Sequence, residues 1–327
     1  MSWLITGGCG FIGTSLLSHL LGQTPPAIRV LDNLSVGPRK QLAAIAAFRE
    51  LTHASIAGAP YGVELVVGDV RDADCCNASC DGIETVIHLA ANTGVATSVE
   101  NPRQDFESNV IGTFNMLEAS RRCNVKNFIF ASSGAPVGEV EPPITEDKAP
   151  RPVSPYGASK LAGEGYCSAY FRSYGIRTVA LRFGNVYGPR SHHKNSIVAK
   201  FFRQAMQGEP LEIYGDGNQT RDFLFIDDLV QAIMLSVRAG VGGELFQIAT
   251  SVETSVNEIA DLIRGMVETH AHSNVTVNRV QPRIGDVRRN VSDISKARRL
   301  LGYRPTFDIH NGLEATFEYF KHQMAPS

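Results

Sequence analysis

The sequence predicts an α/β protein: a doubly wound parallel sheet followed by a smaller, mostly helical C-terminal domain. Three observations carry that expectation. Short, β-branched apolar runs alternate with helical segments through the first half of the chain. A glycine-rich turn joins the first run to the first helix. Beyond residue 183 the alternation gives way to helices joined by turn-rich stretches. Runs that are apolar throughout belong to strands covered on both faces, as in a parallel sheet with helices on either side.

The elements follow in order. Residues 2–6 (SWLIT) form the first expected strand, and 11–22 carry apolar residues at helical spacing. Strands follow at 28–31 (IRVL), 64–67 (ELVV) and 84–89 (ETVIHL). Between the second and third lies a long stretch, residues 35–62, containing the helical run KQLAAIAAFREL. Residues 105–122 read as an amphipathic helix and 127–132 (NFIFAS) as the fifth strand. Ser154 is the expected N-cap of a helix with Pro155 just inside it, running to about Tyr174. Residues 176–182 (IRTVALR) give a sixth strand, and helices near 195–207 and 255–269 follow. The segment 222–249 is expected to return to the large sheet. The domains are therefore 1–182, with 222–249 added back, and 183–327, interleaved rather than separated by a linker.

A chain of 327 residues is long enough for one large α/β unit and a smaller partner. A hydrophobic content of 43% and a charged content of 20% are those of an ordinary globular protein. The net charge of −2, with no long run of either sign, argues against a nucleic-acid or membrane-surface role resting on bulk electrostatics. A few well-placed arginines still suit a small anionic ligand. The start, MSWLITGGCGFIG, has no basic n-region or cleavage site, so no secretory leader is expected. No apolar run approaches the ~20 residues of a membrane helix. The six cysteines (Cys9, Cys75, Cys76, Cys80, Cys123 and Cys167) do not form a disulfide framework, and CCNASC lacks a second Cys/His pair at zinc spacing. They are expected as free thiols near a helix surface in a reducing cytosol, with no metal.

TGGCGFIG follows a strand and opens a helix. Gly7, Gly10 and Gly13 permit a tight turn and close approach to a pyrophosphate, which the helix N-terminus attracts. The spacing is Gly-x-x-Gly-x-x-Gly, and a glycine turn without a ligand stays an alternative. Asp32 ends the second strand, where a carboxylate can accept both hydrogen bonds of an adenosine ribose diol. A 2′-phosphate would face its charge, so NAD is expected over NADP, with Arg39 and Lys40 softening the preference. The alternative for Asp32 is a turn-forming acid before Asn33. Asp69 and Val70, after the third strand, are placed to hold the adenine, although Gly-Asp is also an ordinary turn.

Tyr156 and Lys160 stand four residues apart on one helix face, so ammonium and phenol can share a site. A phenol with a pKa of about 10 is a poor base. A neighbouring ammonium and a positive nicotinamide ring both favour the phenolate. Ser133 ends the fifth strand, where its hydroxyl can reach the same substrate oxygen.

Taken in order, TGGCGFIG, DNLSVG, VVGDVRD, VIHLAA, NVIGTFNMLEAS, FIFASS, SPYGASK, LRFGNVYGPR, YGDGNQTRDFLFIDDL and RIGDVRRNVSD span essentially the whole chain. So ordered, they resemble the extended short-chain dehydrogenase/reductases, in the NAD-dependent epimerase/dehydratase group that includes UDP-glucose 4-epimerases. The resemblance implies a seven-stranded Rossmann-type sheet, bound NAD and a UDP-linked sugar substrate. It also implies a cytoplasmic homodimer, joined through the helices at 105–122 and 154–174, in polysaccharide-precursor synthesis. Ser133, Tyr156 and Lys160 match its catalytic positions. Leu89, Ala90, Ala91 and Asn109 match positions lining the cofactor site, with Phe11, Ile12 and Asn33 in the same site and Phe183 beside the nicotinamide. Asn185, Arg221 and Arg283 match positions that grip the diphosphate, and Asp286 one that touches the nucleotide ribose. A guanidinium's forked donors suit phosphate oxygens; a surface salt bridge is the alternative for each arginine.

By the same resemblance, Tyr156 removes the proton of sugar O4 as C4 is oxidised, giving a 4-keto sugar. Gly134 and Ala135 stand where 4,6-dehydratases carry an Asp-Glu pair, and the Glu of decarboxylating relatives is also absent. C4 epimerisation is therefore expected. A dehydratase or another epimerase of the family, and a non-catalytic NAD-binding sensor, stay as alternatives. Two departures stand out: Pro136-Val137-Gly138 in place of Val-Tyr-Gly, and the long 35–62 segment. Asn290 stands where a bulky residue can restrict N-acetyl sugars. Ser191-His192-His193-Lys194 read either as a solvated loop or as a contact for a C6 carboxylate.

Overall fold

The computed structural model describes residues 1–22, 27–271, 274–282 and 287–324. Eight strands form one sheet, in spatial order Glu244–Ile248, Arg177–Phe183, Asn127–Ser133, Thr85–His88, Ser2–Thr6, Ala27–Asp32, Val63–Val67 and Arg49–Leu51. Every neighbouring pair is parallel. The chain enters at the centre with Ser2–Thr6, builds to one side, then crosses to Thr85–His88 and builds the other way. The order reverses between these two strands. Loops leaving them diverge to opposite faces of the sheet and open a crevice at its C-terminal edge.

Side chains alternate across the sheet, and both faces are apolar. Trp3, Ile5, Val30 and Ile129 pack on one face, and Leu4, Leu31, Val86 and Phe128 on the other. Each large apolar side chain so removed from water contributes about 1.5–3 kcal/mol. Helix Ile226–Arg238 leads from the smaller half back to Glu244–Ile248, which pairs with Arg177–Phe183. The region beyond residue 183 holds helices Ile197–Met206, Val256–Ala271 and Ile309–Met324. Short strand pairs join these helices: Leu211–Tyr214 pairs with Val277–Val280, and Asn185–Tyr187 with Phe223–Phe225. No helix among the described residues is long and apolar enough to cross a membrane.

The structure corrects three expectations. The sheet has eight strands, not seven, because the 40–51 run is not one helix. It is helical only over Arg39–Ala43, and Arg49–Leu51 becomes an edge strand. The cause is tertiary. Glu64, 2% exposed, accepts Arg29 Nε at 3.1 Å and Arg49 Nη2 at 2.6 Å. Arg29, 1% exposed, also donates to the carbonyls of Ser79 (3.0 Å), Asp81 (2.8 Å) and Gly58 (2.9 Å). This cluster pins the long segment to the sheet and overrides local helix propensity. Next, the helix expected at 105–122 starts at Pro102 and widens into a π turn at Phe106–Ile111 before Gly112–Arg122, a distortion often found at functional sites. Finally, Cys75, Cys76 and Cys80 are not near the surface. Helix Ala73–Ser79 packs against Gly112–Arg122 and buries all three thiols in the core.

Removing one member of a buried ion cluster strands the other charge, at a cost of about 3–5 kcal/mol. Arg29→Met is therefore expected to lower the urea unfolding midpoint sharply at an unchanged m-value. Arg39→Met, whose partner Glu50 lies in water, should leave the midpoint in place. Equal effects from the two would remove the Arg29–Glu64 cluster as the pin of this segment.

Candidate active site

A cavity of about 490 Å³ opens at the crevice between Ser2–Thr6 and Thr85–His88. Gly7, Gly10, Phe11, Ile12 and Gly13 form one wall, and Leu89, Ala90 and Ala91 the facing one. The two walls nearly touch. Gly7 has φ +68°, and a Cβ there would lie 2.9 Å from Ala90 N; one on Gly13 would lie 2.5 Å from the Gly7 carbonyl oxygen. Helix Phe11–Leu21 begins at Gly10 with no side-chain cap and no acid in its first turn, leaving its N–H groups and dipole to an anion.

Asp32, Asn33, Asp69 and Val70 close the far end. Asp32 is 7% exposed, and its carboxylate accepts Cys9 N–H at 2.9 Å on one oxygen and Leu34 N–H at 2.8 Å on the other. Burial pushes its carboxyl up, and those two N–H groups oppose the shift. Each oxygen keeps a further lone pair for a diol. Asp69 is committed differently. The Arg71 guanidinium holds its carboxyl down at about 2, and Asn33 Nδ2 donates to it at 2.9 Å. Asn109 stands behind the cavity rather than on it: Oδ1 accepts Asn92 N–H at 2.8 Å and Nδ2 donates to Asn92 O at 2.9 Å, clamping the loop that forms the wall. An uncapped helix end, a wall that excludes any Cβ and a buried carboxylate with spare lone pairs fit a dinucleotide.

At the other end lie Ser133, Tyr156, Lys160 and Phe183. Helix Pro155–Tyr174 starts where Ser154 Oγ accepts Gly157 N–H at 3.1 Å, with Pro155 in its first turn, and ends at Gly175 in the left-handed conformation. That start sets Tyr156 and Lys160 on the face turned to the strand ends. Ser133 Oγ accepts Ala135 N–H at 3.2 Å and hydrogen-bonds the Tyr156 phenol. Lys160 Nζ donates to Ala131 O at 2.8 Å and lies 5.0 Å from the Phe130 ring centre and 5.8 Å from that of Tyr156. The protein mass around the half-buried Tyr156 pushes its phenol up to about 12, with the Ser133 bond opposing. Burial brings Lys160 down to about 8, with Asp105 and Glu164 opposing. The lowered phenol expected from the Tyr-Lys spacing is therefore not a property of the protein alone, because burial of the phenol outweighs the Ser133 bond. Gly134 starts a short turn, Ala135–Val137, that brings no titratable group. Asn290 reaches it: a Cβ on Gly134 would lie 3.7 Å from Asn290 Nδ2.

A second cavity, of about 360 Å³, shares Gly184 and Val186 with the first and is lined by Asn185 and Arg221. Arg283 and Asp286 lie outside the described residues. Three other residues of this cavity escaped sequence reading. Lys200 Nζ pairs with Glu212 Oε2 at 2.6 Å and lies 4.9 Å from the Tyr214 ring centre. Asp222, wholly buried, accepts N–H bonds from Thr250 (2.8 Å), Ser251 (3.0 Å) and Ser292 (3.3 Å), while its carbonyl accepts Asn185 N–H at 2.8 Å. The signal was there, an acid inside the apolar run DFLFI, without a visible partner. The 191–194 loop is not simply solvated. Ser191 is buried, His193 Nδ1 hydrogen-bonds Gln41 Nε2 at 3.2 Å, and Lys194 is half-buried and lines the first cavity. No cluster able to hold a metal occurs among the described residues.

The sequence model of the NAD-dependent epimerase/dehydratase family matches residues 3–249. The chain is 35% identical to the UDP-glucose 4-epimerase of Mycolicibacterium smegmatis, over 99% of each protein. Its fold is similar to that of the UDP-glucose 4-epimerase of Thermotoga maritima, solved with UDP-glucose, with a TM-score of 0.88 at 34% identity over 99% of this chain and 100% of that one. It is also similar to the UDP-glucuronic acid 4-epimerase of Bacillus cereus, solved with UDP-glucuronic acid and NAD, with a TM-score of 0.85 at 30% identity over 99% and 100%. With a cavity shaped for a dinucleotide and a family match across the whole parallel sheet, the chain belongs to the NAD-dependent epimerase/dehydratase family, and its cofactor is NAD.

Proposed function

We propose that the protein is a nucleotide-sugar 4-epimerase, acting on a UDP-linked hexose, hexuronate or N-acetylhexosamine through a transient 4-keto sugar. The observation that carries this reading is the junction of the two cavities. Ser133, Tyr156 and Lys160 line the first, Asn185 and Arg221 the second, and Gly134 and Ala135 offer no second acid or base there.

Residues 1–182, with the 222–249 return, would hold NAD: the glycine turn its phosphates, Asp32 the adenosine ribose, and Phe183 with Leu89–Ala91 the nicotinamide end. Residues 183–327 would hold the sugar nucleotide, with Asn185, Arg221 and Arg283 on its diphosphate and Asp286 on its ribose. NAD supplies reversible oxidation at the sugar carbon. Tyr156 takes the proton of the sugar hydroxyl and later returns it, and Ser133 holds that oxygen in line. Lys160, positively charged at neutral pH, favours the phenolate once the substrate oxygen arrives. With Gly134 and Ala135 in place of an acid and a base, the ketone is reduced again, and reduction on its other face inverts C4. Asn290, in place of a bulkier residue, would admit a 2-acetamido group. A cytoplasmic homodimer belongs to the same reading; Phe106, Phe114, Tyr166 and Tyr174 lie exposed on the helices that would form its interface.

Incubation with UDP-glucose, UDP-N-acetylglucosamine and their uronic acids, without added reductant, should yield a pair of C4 epimers at constant mass by NMR. Loss of water or carbon dioxide would overturn epimerisation. Tyr156→Phe should reduce turnover by roughly 10²–10⁴-fold while NAD stays bound; undiminished turnover would remove Tyr156 from the chemistry. Asp32→Asn should bring NAD and NADP affinities closer together by calorimetry, and an unchanged ratio would take the ribose away from Asp32.

A further inference from the structure

Lys160 is 4% exposed, and its ammonium is held by one carbonyl, Ala131 O, and the face of Phe130. A cation so dry needs a counter-charge nearby. Two carboxylates lie on the elements around it: Asp105 at the end of Pro102–Asp105, which packs on Pro155–Tyr174, and Glu164 one turn along its own helix. Glu164 is already neutralised. Arg182, 2% exposed, grips it with Nε to Oε1 at 2.8 Å and Nη2 to Oε2 at 2.7 Å, and Ser132 Oγ donates to Oε1 at 2.5 Å.

Asp105 is 1% exposed and has no such cation. Among the described residues its hydrogen-bond partners are neutral: Asn109 Nδ2 at 2.8 Å and the Ser159 hydroxyl. Asn109 Nδ2 also lies 3.2 Å from Ser159 Oγ, and Ser159 directly precedes Lys160. The other titratable groups around Lys160 carry no charge at neutral pH. Burial holds the His88 imidazole down at about 3, raises the Cys167 thiol and pushes the Tyr156 phenol up to about 12. Counting charges pairs Glu164 with Arg182 and leaves Asp105 for Lys160. Asp105 ends the segment Pro102–Asp105, just where the helix widens into its π turn.

We infer that Asp105 is a positioning residue that acts through Lys160: its buried carboxylate supplies the negative charge that keeps Lys160 an ammonium beside Tyr156. The effect on rate rests on the epimerase reading; the counter-charge itself does not. Burial raises the Asp105 carboxyl, while Ser159, Lys160 and Asn109 favour its charged form. Removing that charge lets a proton leave both neighbours more readily, so the Tyr156 and Lys160 transitions both move to lower pH.

The test uses Asp105→Asn, which keeps the shape, and Asp105→Ala, which does not, with Asp105→Glu as the variant that keeps the charge. The Lys160 titration is read without sugar, as the NMR shift of its Cε in lysine-labelled protein, assigned by its loss in a Lys160→Met counterpart. In both Asn and Ala variants it should fall by about one pH unit, and the pH profile of kcat should move the same way while KM holds. Asp105→Glu should restore both. A titration that stays in place in the Asn and Ala variants overturns the proposal, even if stability falls. A titration that moves in a protein that turns over no nucleotide sugar upholds the counter-charge and sinks the epimerase reading instead.

Discussion

A parallel sheet covered on both faces leaves polar chemistry only its C-terminal edge. The interiors of the central strands are committed to the core, and a polar group placed there must be satisfied within the protein. The charged and ring side chains inside the sheet show what that demands. His88 hydrogen-bonds Thr6 Oγ1 at 2.8 Å and Thr113 Oγ1 at 3.1 Å, lies against Phe128 and Phe130, and is kept neutral by burial. Arg29 is consumed by Glu64 and three carbonyls, and Arg182 by Glu164, with only its Nη1 lacking a hydrogen-bond partner. At the strand ends the constraint lifts. There the chain can leave N–H groups, carboxylate lone pairs and a phenol facing a cavity.

The site then depends on holding separate strand ends in register. The glycine turn and the Ala90 turn approach to backbone contact, which fixes one half. Asp222 fixes the other by collecting N–H groups from residues 250, 251 and 292 on its carboxylate and from Asn185 on its carbonyl. Because Gly184 and Val186 line both cavities, these two anchors set the distance between them. The first anchor sets backbone against backbone, and the second is a wholly buried carboxylate holding backbone N–H groups, so neither depends on a mobile side chain.

What the sequence made legible is what local chemistry determines. The glycine turn, the Ser154 cap with Pro155, and the Tyr156/Lys160 spacing each act within about one helical turn, and each has its expected form. What it concealed depends on partners far along the chain. Residues 49–51 form a strand because of Glu64, and Cys75, Cys76 and Cys80 are buried because a distant helix covers them. Asp105 and Asp222 pass unmarked in the sequence, since nothing local shows that one is buried among neutral hydrogen-bond partners and the other gathers three segments. The second cavity was half-read: Arg221 stood out within TRDF, whereas the Lys200–Glu212–Tyr214 cluster joins a helix to a strand.

The concealed terms also decide how the proposed catalytic pair behaves. Spacing alone places an ammonium beside a phenol and implies a ready base. In the folded site the ammonium binds Ala131 O, and the surrounding protein raises the phenol instead. A phenol near 12 beside a lysine near 8 is, at neutral pH, a protonated acid next to a cation. The resting pair therefore holds its proton and becomes a base only when ligands change the electrostatics around it. In the proposed reaction, the desolvation that imposes this rest state would also keep water from the ketone. A more exposed pair would reach phenolate more easily, but it would leave that intermediate open to solvent and to loss before the second transfer.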